Sequence, residues 1–343
     1  MPPPAIRRPV TITTWFAVAI LCLALSPLLL ALGAIATRLA HRPQPLILVR
    51  LMIAYFRHEL VALVGCGALW LVSGAGRDMH SRRVQLLHYR LLRWFVGGVA
   101  SQMLAVLHLD VSVEQSAPAI RALESDEPLL FLSRHAGPGD TFLLLDLLLR
   151  RFDRLPSVVF KQSLTIDPFL DLIGHRLPHA VLDTSDGPGS RAQIERVSAG
   201  LGPRGVLLLF PEGGNFTHER RGQAIRKLWR TGRRREAAKA AAMSHVLPPH
   251  PAGALSALRA APTADVIFAA HTGLGLAAFP RELWRDPPLG RTLKTHMGLV
   301  PAAHRPRDPD AQVDWIYDWW KRLDEWIEKQ GDEAPAGSVL RVD

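Results

Sequence analysis

Apolar positions in the first third of the chain form long continuous runs rather than an alternating pattern. No charged residue lies between Arg8 and Arg38, so residues 9–37 exceed the roughly 20 apolar residues that cross a bilayer. Pro27 is expected to kink this helix. The basic start and the sequence "AIA" (34–36) also fit a secretory signal peptide, but the run exceeds the usual apolar core of about 7–15 residues. An uncleaved membrane anchor is therefore the favoured interpretation.

A second apolar region, residues 51–76, is interrupted by Arg57, His58 and Glu59. Because charge at mid-membrane is costly, three interpretations stay open: a second span, a re-entrant segment or an interfacial helix, with a helical hairpin favoured. Residues 91–109 are predicted as an amphipathic helix at the membrane surface. Basic residues cluster after the hairpin: Arg77, Arg82, Arg83, Arg90 and Arg93. By the positive-inside rule, they place the following domain on the cytoplasmic face of the cell membrane.

From about residue 110 onward, short apolar runs alternate with helical patterns. The predicted strands are residues 110–115, 128–133, 157–161, 180–183, 205–210 and 265–271. The predicted helices between them are about 141–152, 162–174, 190–201 and 219–243. This alternation is typical of an α/β fold with a mostly parallel central sheet flanked by helices, here behind an N-terminal helical membrane anchor.

Three segments are expected: a membrane anchor of one or two apolar helices (1–90), an α/β domain (91–305), and a C-terminal amphipathic helix with a tail (306–343). The Trp-rich stretch 310–329 is predicted to pack on the domain, and contact with a membrane is the less favoured alternative.

Composition narrows the choice of partner. The 343 residues carry a formal net charge of +10, which favours lipid headgroups, phosphorylated cofactors or nucleic acid. No nucleic-acid recognition motif accompanies the charge, and an anchored chain makes a nucleic-acid partner unlikely, so none is expected. The two cysteines imply no disulfide framework, and the 14 histidines include no HExxH motif, so no metal is expected. The basic run 218–243 is either a solvated helix face or a contact for anionic lipid or coenzyme A phosphates.

Two strand-to-helix turns carry candidate chemistry. In "LSRHAGPGDT" (132–141), His135 stands where a strand ends and Asp140 where a helix begins, at the sheet edge that builds sites in open α/β folds. In "LLLFPEGGNFT" (207–217), Pro211 ends a strand and Glu212 presents a carboxylate. Gly213 and Gly214 let a ligand approach the backbone closely, and Thr217 or Asn215 is expected to cap the next helix.

In this order, the motifs resemble those of the glycerolipid acyltransferase family, which includes the lysophosphatidic acid acyltransferases. The first is His-x4-Asp, "HAGPGD", and the later one is Phe-Pro-Glu-Gly, "FPEG" (210–213). Between them, "KQSLTIDP" supplies Lys161, Leu164 and Pro168, and "HVLPPHPAGAL" (245–255) resembles a further block. The resemblance covers roughly residues 90–300.

The resemblance implies acyl transfer from a thioester to the hydroxyl of a lysophospholipid, with lysophosphatidic acid as the first candidate acceptor. His135 would take the hydroxyl proton and Asp140 would orient its imidazole, so no acyl-enzyme is needed. Acyl-CoA or acyl carrier protein would be the co-substrate, with no bound cofactor. The implied acceptor-binding residues are Glu212, Gly213, Gly214 and Thr217, with Lys161 and Arg176 as candidate phosphate contacts.

The sequence departs from the family pattern at the residues expected to select the acceptor. Arg134 stands where the first block usually has Asn, and "AVLDTSDG" lacks the usual arginine, although Arg176 lies upstream. Gly214 and Asn215 stand where the third block often has Arg. Another lysolipid or a glycolipid therefore remains an alternative acceptor, and a non-catalytic lipid-binding protein of the same fold is the alternative from another class.

Overall fold

A computed structural model describes residues 3–183, 185–273, 284 and 287–330. The chain forms two compact units: the first comprises Met1–Leu107 and Leu145–Gln193, the second His108–Leu144 and Ile194–Asp343. The helices are α1 (Pro4–Ala24), α2 (Ser26–Ala40), α3 (Gln44–Val72), α4 (Arg82–Leu107), α5 (Ala117–Glu124), α6 (Pro138–Asp146), α7 (Pro168–Arg176), α8 (Gly187–Ala199), α9 (His218–Arg230), α10 (Arg234–Ala241), α11 (Pro251–Ala260) and α12 (Pro309–Gln330). The strands are β1 (Asp110–Gln115), β2 (Leu129–Ser133), β3 (Leu155–Lys161), β4 (Ala180–Leu182), β5 (Gly205–Leu209), β6 (Asp265–Thr272) and β7 (Thr292–Val300).

The N-terminal helices of the first unit pack as a hairpin. The predicted apolar helix is interrupted at Leu25, and Pro27 lies in the first turn of α2, where a proline is tolerated. The chain turns at His41, whose φ of 52° ends α2 in the left-handed conformation. Helix α3 then packs along both α1 and α2 and against α4. The kink expected at Pro27 is therefore present as a one-residue interruption, across which the Leu25 N–H still donates to Leu21 and the Leu29 N–H to Leu25.

Among the helices of the described residues, only α1 is long and apolar enough to cross a membrane. Helix α3 keeps the interrupting charges and does not meet the same criterion, so of the three interpretations of residues 51–76 a full second span has the least support. Its Glu59 is fully buried and accepts a hydrogen bond from the Phe169 backbone N–H at 3.2 Å, at the start of α7. Burial and the neighbouring Asp167 carboxyl raise the pKa of Glu59 well above its usual range, so the protonated acid is favoured at this buried position.

The start of α1 is joined to α7 by a buried ion pair. Arg7 Nη2 lies 2.7 Å from Asp171 Oδ1, and Arg8 Nε lies 2.8 Å from Asp171 Oδ2. The side chain of Asp171 has no exposed surface. Burial alone would raise its pKa, but hydrogen bonds from His175 and from the two arginines outweigh burial and hold the pKa well below its usual range. Residues of the predicted anchor thus belong to the packing of the first unit.

The sheet of the second unit is mostly parallel. Its strands follow the order β1-β7-β6-β2-β5, in which only the β6–β7 pair is antiparallel. Leu130 of β2 is in register with Leu207 of β5 and with Val266 of β6. All residues of β2 and β5 are buried, as continuous apolar runs in parallel strands require. In the first unit, β3 and β4 pair in parallel. The predicted α/β class, with a mostly parallel sheet flanked by helices, is confirmed.

Several elements differ from the pattern-based expectations. The helix expected over 219–243 is two helices, α9 and α10, because Gly232 adopts a φ of 76° between them. The helix expected over 141–152 begins earlier, at Pro138, and continues as a π-helical turn over Leu147–Arg151. The segment 162–174 divides into a 3-10 turn, Gln162–Ile166, and α7. Helix α4 begins nine residues before the expected 91, and α5, α11 and β7 were not predicted.

The C-terminal helix α12 packs on the second unit, as predicted. The indole of Trp319 stacks on the Phe268 ring of β6, with centroids 4.8 Å apart and planes 3° apart. A Cβ on Gly298 of β7 would lie 2.5 Å from the same indole, so the glycine makes room for it. The predicted tail, residues 331–343, lies outside the described residues.

Candidate active site

The structure brings His135 and Asp140 into hydrogen-bond contact. His135 lies just after β2, and Asp140 lies in the first turn of α6. Nδ1 of His135 is 3.0 Å from Oδ1 of Asp140 and 3.1 Å from Oδ2. This arrangement can hold an imidazole with its proton on Nδ1 and leave Nε2 as the basic nitrogen.

The Asp140 carboxylate is also the anchor of its own loop. Oδ2 accepts hydrogen bonds from the backbone N–H of Ala136 at 2.7 Å and of Gly137 at 3.0 Å, and Thr141 Oγ1 donates to Oδ1 at 3.2 Å. The residue is 1% exposed. A carboxylate with this many donors stays in one rotamer, so it fixes the direction of the imidazole.

A second histidine faces the same carboxylate. Nε2 of His271, near the end of β6, lies 3.2 Å from Asp140 Oδ2, and the His271 side chain is 6% exposed. Burial alone would raise the pKa of Asp140. The charge of His135 and hydrogen bonds from both histidines outweigh burial and hold that pKa far below its usual range. Asp140 is therefore ionised at neutral pH, as an imidazole-orienting group must be.

The two sequence motifs meet at His135. The backbone N–H of Phe216, in the turn after β5, donates to the His135 carbonyl at 2.9 Å. The Phe210 ring stacks on the imidazole, with centroids 4.4 Å apart and planes 28° apart. The His135 side chain is 18% exposed, so the ring is packed on one face and still reachable.

Glu212 is buried and predominantly neutral at pH 7. The residue is 3% exposed, and its Oε2 accepts a hydrogen bond from the Leu247 backbone N–H at 3.2 Å. Burial raises the pKa of Glu212 to about 8, although the charge of Arg134 and backbone hydrogen bonds from Leu247 and His135 oppose the rise. A protonated carboxyl adds no negative charge to the site.

Arg134 lies fully buried directly before His135. Its Nη1 donates to the His271 carbonyl at 2.7 Å, and its backbone N–H donates to the Ala269 carbonyl at 3.0 Å. The guanidinium carbon lies 5.8 Å from the centroid of the Phe216 ring. Arg134 therefore links the chain segment just before His135 to β6. It also places a positive charge near Glu212.

The glycines and Thr217 shape the turn between β5 and α9. Gly213 has a φ of 67°, and a Cβ there would lie 3.2 Å from His250 Cδ2, so both backbone conformation and space favour glycine. Gly214 follows in the same turn. Thr217 is the N-cap of α9 and accepts from the Arg220 backbone N–H at 3.1 Å, as predicted for this position.

The two predicted phosphate contacts, Lys161 and Arg176, belong to the first unit. Lys161 is exposed at the end of β3. Arg176 Nη1 donates to the Cys66 carbonyl of α3 at 2.8 Å and lies 3.2 Å from His88 Nε2 of α4. The contacts described for Arg176 are thus those of helix packing, and a phosphate-binding role for either residue stays a prediction.

Sequence reasoning missed three residues that contact the pair: His271, Phe210 as a stacking partner, and Arg134 as a buried tie. Phe210 stands inside a quoted motif and Arg134 directly precedes His135, so the sequence showed both positions but not their contacts. His271 comes from a strand far along the chain, and no local pattern marks it. Within the described residues, no cluster of three or more His, Cys, Asp or Glu is arranged to hold a metal ion.

Comparison with known proteins assigns this region to a family. Residues 109–265 match the family model described as Acyltransferase. No curated protein and no solved structure gives a significant match to the chain.

Proposed function

Residues 109–265 form an acyltransferase domain of the glycerolipid acyltransferase family, and from this premise we propose the reaction. The chain transfers a fatty acyl group from a thioester to the free hydroxyl of a lysophospholipid, first of all lysophosphatidic acid, giving phosphatidic acid. The donor is acyl-CoA or acyl carrier protein. The observation that carries the proposal is the hydrogen bond of 3.0 Å between His135 and Asp140.

The acceptor hydroxyl attacks the thioester carbonyl while Nε2 of His135 takes the hydroxyl proton. The new C–O bond gives a tetrahedral oxyanion. Its collapse breaks the C–S bond, and the thiolate leaves with the proton from the imidazolium, which restores the neutral His135. The acceptor itself is the nucleophile, so the scheme needs no serine or cysteine and forms no acyl-enzyme.

Asp140 supports both protonation states of His135 in this scheme. Its carboxylate keeps the proton of neutral imidazole on Nδ1, which directs the basic Nε2 lone pair outward. When the imidazolium forms, the same carboxylate stabilises its charge. Because the carboxylate is already held by two backbone N–H groups, it need not reorganise during the reaction.

The Phe-Pro-Glu-Gly turn suits an anionic acceptor. A phosphate beside an ionised carboxylate would be repelled, but Glu212 with a pKa of about 8 is mostly protonated at neutral pH. The buried charge of Arg134 adds attraction for an anion. We assign the glycerol and phosphate region of the acceptor to Glu212, with the backbone N–H groups of Gly213 and Gly214 and the N-terminus of α9 behind Thr217.

The resemblance offers Lys161 and Arg176 as the candidate phosphate contacts. If Arg176 contacts the acceptor phosphate, it does so beside its hydrogen bond to the Cys66 carbonyl. Because Arg176 is already hydrogen-bonded to Cys66, the second candidate acceptor is a lysolipid or glycolipid that lacks a terminal phosphate.

We propose that α1 anchors the chain in the cell membrane, with the acyltransferase domain on the cytoplasmic face. The Arg7–Asp171 pair supports retention of this helix, because cleavage after residues 34–36 would remove Arg7 and Arg8 and leave the buried Asp171 without both. Alkaline carbonate extraction of membranes tests the anchor. Labelling of Arg234→Cys with a membrane-impermeant maleimide, in a background with Cys22 and Cys66 replaced by Ser, tests the orientation.

A transfer assay by mass spectrometry tests the reaction. Purified full-length protein in mixed micelles is incubated with a panel of lysolipids and one glycolipid, with acyl-CoA or acylated acyl carrier protein as the donor. His135→Ala should lower the rate by about 10²–10⁴-fold, the usual contribution of a general base. His304→Ala is the matched control, because His304 is exposed in a 3-10 turn outside both motifs.

Each outcome separates the alternatives. His135-dependent phosphatidic acid supports the full proposal. His135-dependent product from another lysolipid keeps the reaction and changes the acceptor. No product with either donor, from a folded protein that still binds lysolipid, supports the non-catalytic alternative and refutes the proposal.

A further inference from the structure

The first unit contains a basic cavity of about 450 Å³ that the proposed reaction does not use. Three arginines line it, Arg90 and Arg93 from α4 and Arg150 from the π-helical turn, together with Trp94 and Ser101. Three guanidinium groups around one cavity repel one another unless anions lie between them.

Arg150 forms a fixed wall of this cavity. Its Nη1 donates to the Gly97 carbonyl at 3.3 Å and to Ser101 Oγ at 3.2 Å, and it lies 3.2 Å from Asp146 Oδ1. Gly97 is what permits this position, because a Cβ there would lie 2.6 Å from Arg150 Cδ. The guanidinium therefore lies against the backbone of α4 at Gly97, where no side chain blocks it.

The carboxylates near the cavity are fewer than the arginines. Asp146 pairs with Arg150, and Asp153 Oδ1 lies 2.7 Å from Arg93 Nη1. Arg90 is exposed and has no ion-pair partner in the part of the chain that the structure describes. The cavity thus keeps an uncompensated positive charge beside two guanidinium groups that are already oriented.

One exposed aromatic side chain, Trp94, lines the cavity beside the arginines. The indole of Trp94 is 44% exposed and lies against the His58 ring, with centroids 5.1 Å apart. Leu86 on α4, with Val61 and Val64 on α3, are also exposed apolar side chains of the same unit. An exposed indole next to arginines, in a unit that exposes further apolar side chains, is typical of a surface at the level of lipid headgroups.

We propose that this cavity binds the phosphate of an anionic phospholipid headgroup, with Arg90, Arg93 and Arg150 on the phosphate oxygens and Trp94 at the acyl-chain side. Guanidinium groups suit phosphate because their N–H groups match its oxygens in pairs. Phosphate also occurs in coenzyme A and as the free ion; the exposed indole beside the arginines and the further exposed apolar side chains of this unit favour a lipid, and the competition experiment separates the three sources. This lipid-recognition site belongs to the first unit, and lipid binding there does not require the transfer reaction to occur.

Native mass spectrometry of the delipidated full-length protein in a non-ionic detergent tests the site. Phosphatidylglycerol is titrated in, with phosphatidylcholine as the zwitterionic comparison, and bound lipid is counted per protein. Arg90→Gln should weaken phosphatidylglycerol binding about tenfold, the loss expected for one charge-assisted contact. Arg83→Gln is the matched control, because it removes the same charge from an exposed position of α4 outside the cavity.

Gly97→Ala separates a built site from general electrostatic attraction. The added methyl group displaces Arg150 without changing the net charge, and alanine favours the helix. It should weaken phosphatidylglycerol binding as Arg90→Gln does. Equal binding by wild type, Arg90→Gln and Arg83→Gln would refute the proposal, as would equal loss in both arginine variants with none in Gly97→Ala.

Competition identifies the source of the phosphate. Coenzyme A and inorganic phosphate are added to the lipid-bound protein, and neither should displace phosphatidylglycerol at submillimolar concentration. Arg90-dependent binding of coenzyme A without binding of phosphatidylglycerol would overturn the lipid assignment. Because the readout is bound lipid and not product, failure here leaves the acyltransfer proposal untouched.

Discussion

Replacing Glu212 by Gln should make the protein more stable, and the gain should grow with pH. The substitution keeps the shape of the side chain and removes its ionisation. In the folded protein the carboxyl is 3% exposed, and burial raises its pKa from 4.5 to about 8. The unfolded chain returns the group to water, where it ionises near its ordinary pKa.

The size of the effect follows from the two pKa values. Between pH 4.5 and 8 the folded state binds a proton that the unfolded state has lost, so wild-type stability falls as pH rises through this window and levels off above it. Each unit of pKa difference corresponds to about 1.4 kcal/mol, so the full shift is of the order of 5 kcal/mol. Glu212→Gln removes this loss, while the other titrating groups are common to both proteins.

The assay is denaturant unfolding of wild type and variant in mild detergent at pH 5, 7 and 9. The free energy of unfolding of Glu212→Gln minus that of wild type should increase from pH 5 to pH 9. Glu219→Gln is the control, because Glu219 is exposed in the first turn of α9. A difference that stays constant with pH, or that decreases, would refute the conclusion that Glu212 is neutral in the folded protein, and with it the argument that the turn tolerates an anionic acceptor.

Three further substitutions test separate parts of the structure. Asp140→Asn should lower kcat by about 10²–10⁴-fold in the transfer assay, because the amide does not hold the reactive imidazole tautomer, and a wild-type kcat would contradict its orienting role. Asp171→Asn should destabilise the first unit by about 3–5 kcal/mol, because it leaves Arg7 without its buried carboxylate partner, and an unchanged unfolding midpoint would contradict this. Gly213→Ala should cost about 1–2 kcal/mol, because alanine is strained at a φ of 67°, and equal thermal stability would show that the turn relaxes.

The sequence predicts most accurately those elements whose residues are all buried, because these form continuous apolar runs. Strands β2 and β5 are covered on both faces, so they are continuous apolar runs, and their positions were predicted to within a residue or two. Strand β7 is only partly buried and contains Lys294, His296 and Gly298, so neither an alternating nor a continuous apolar pattern marks it. The break between α9 and α10 depends on a single glycine in a run that is otherwise helical in character.

The same limit applies to the site. His135 and Asp140 are five residues apart, so one loop contains the whole geometry and the spacing could reveal it. The tie from Arg134 to β6 joins positions 137 residues apart, and only the register of β2 with β6 creates it. Long-range pairings of this kind have no signature in local sequence, which is why the arginine was visible only as a departure from a motif.

The four residues between His135 and Asp140 also have a physical explanation. Asp140 lies in the first turn of α6, where its carboxylate can reach back to free backbone N–H groups, as it does at Ala136 and Gly137. The four-residue spacer lets the same carboxylate contact the imidazole of its own loop, at 3.0 Å from His135 Nδ1. Holding the loop and orienting the histidine are therefore one arrangement: the N–H groups of Ala136 and Gly137, just before α6, fix the carboxylate that holds His135. A site built in this way is organised before any substrate binds, so folding already supplies the free energy needed to orient the imidazole.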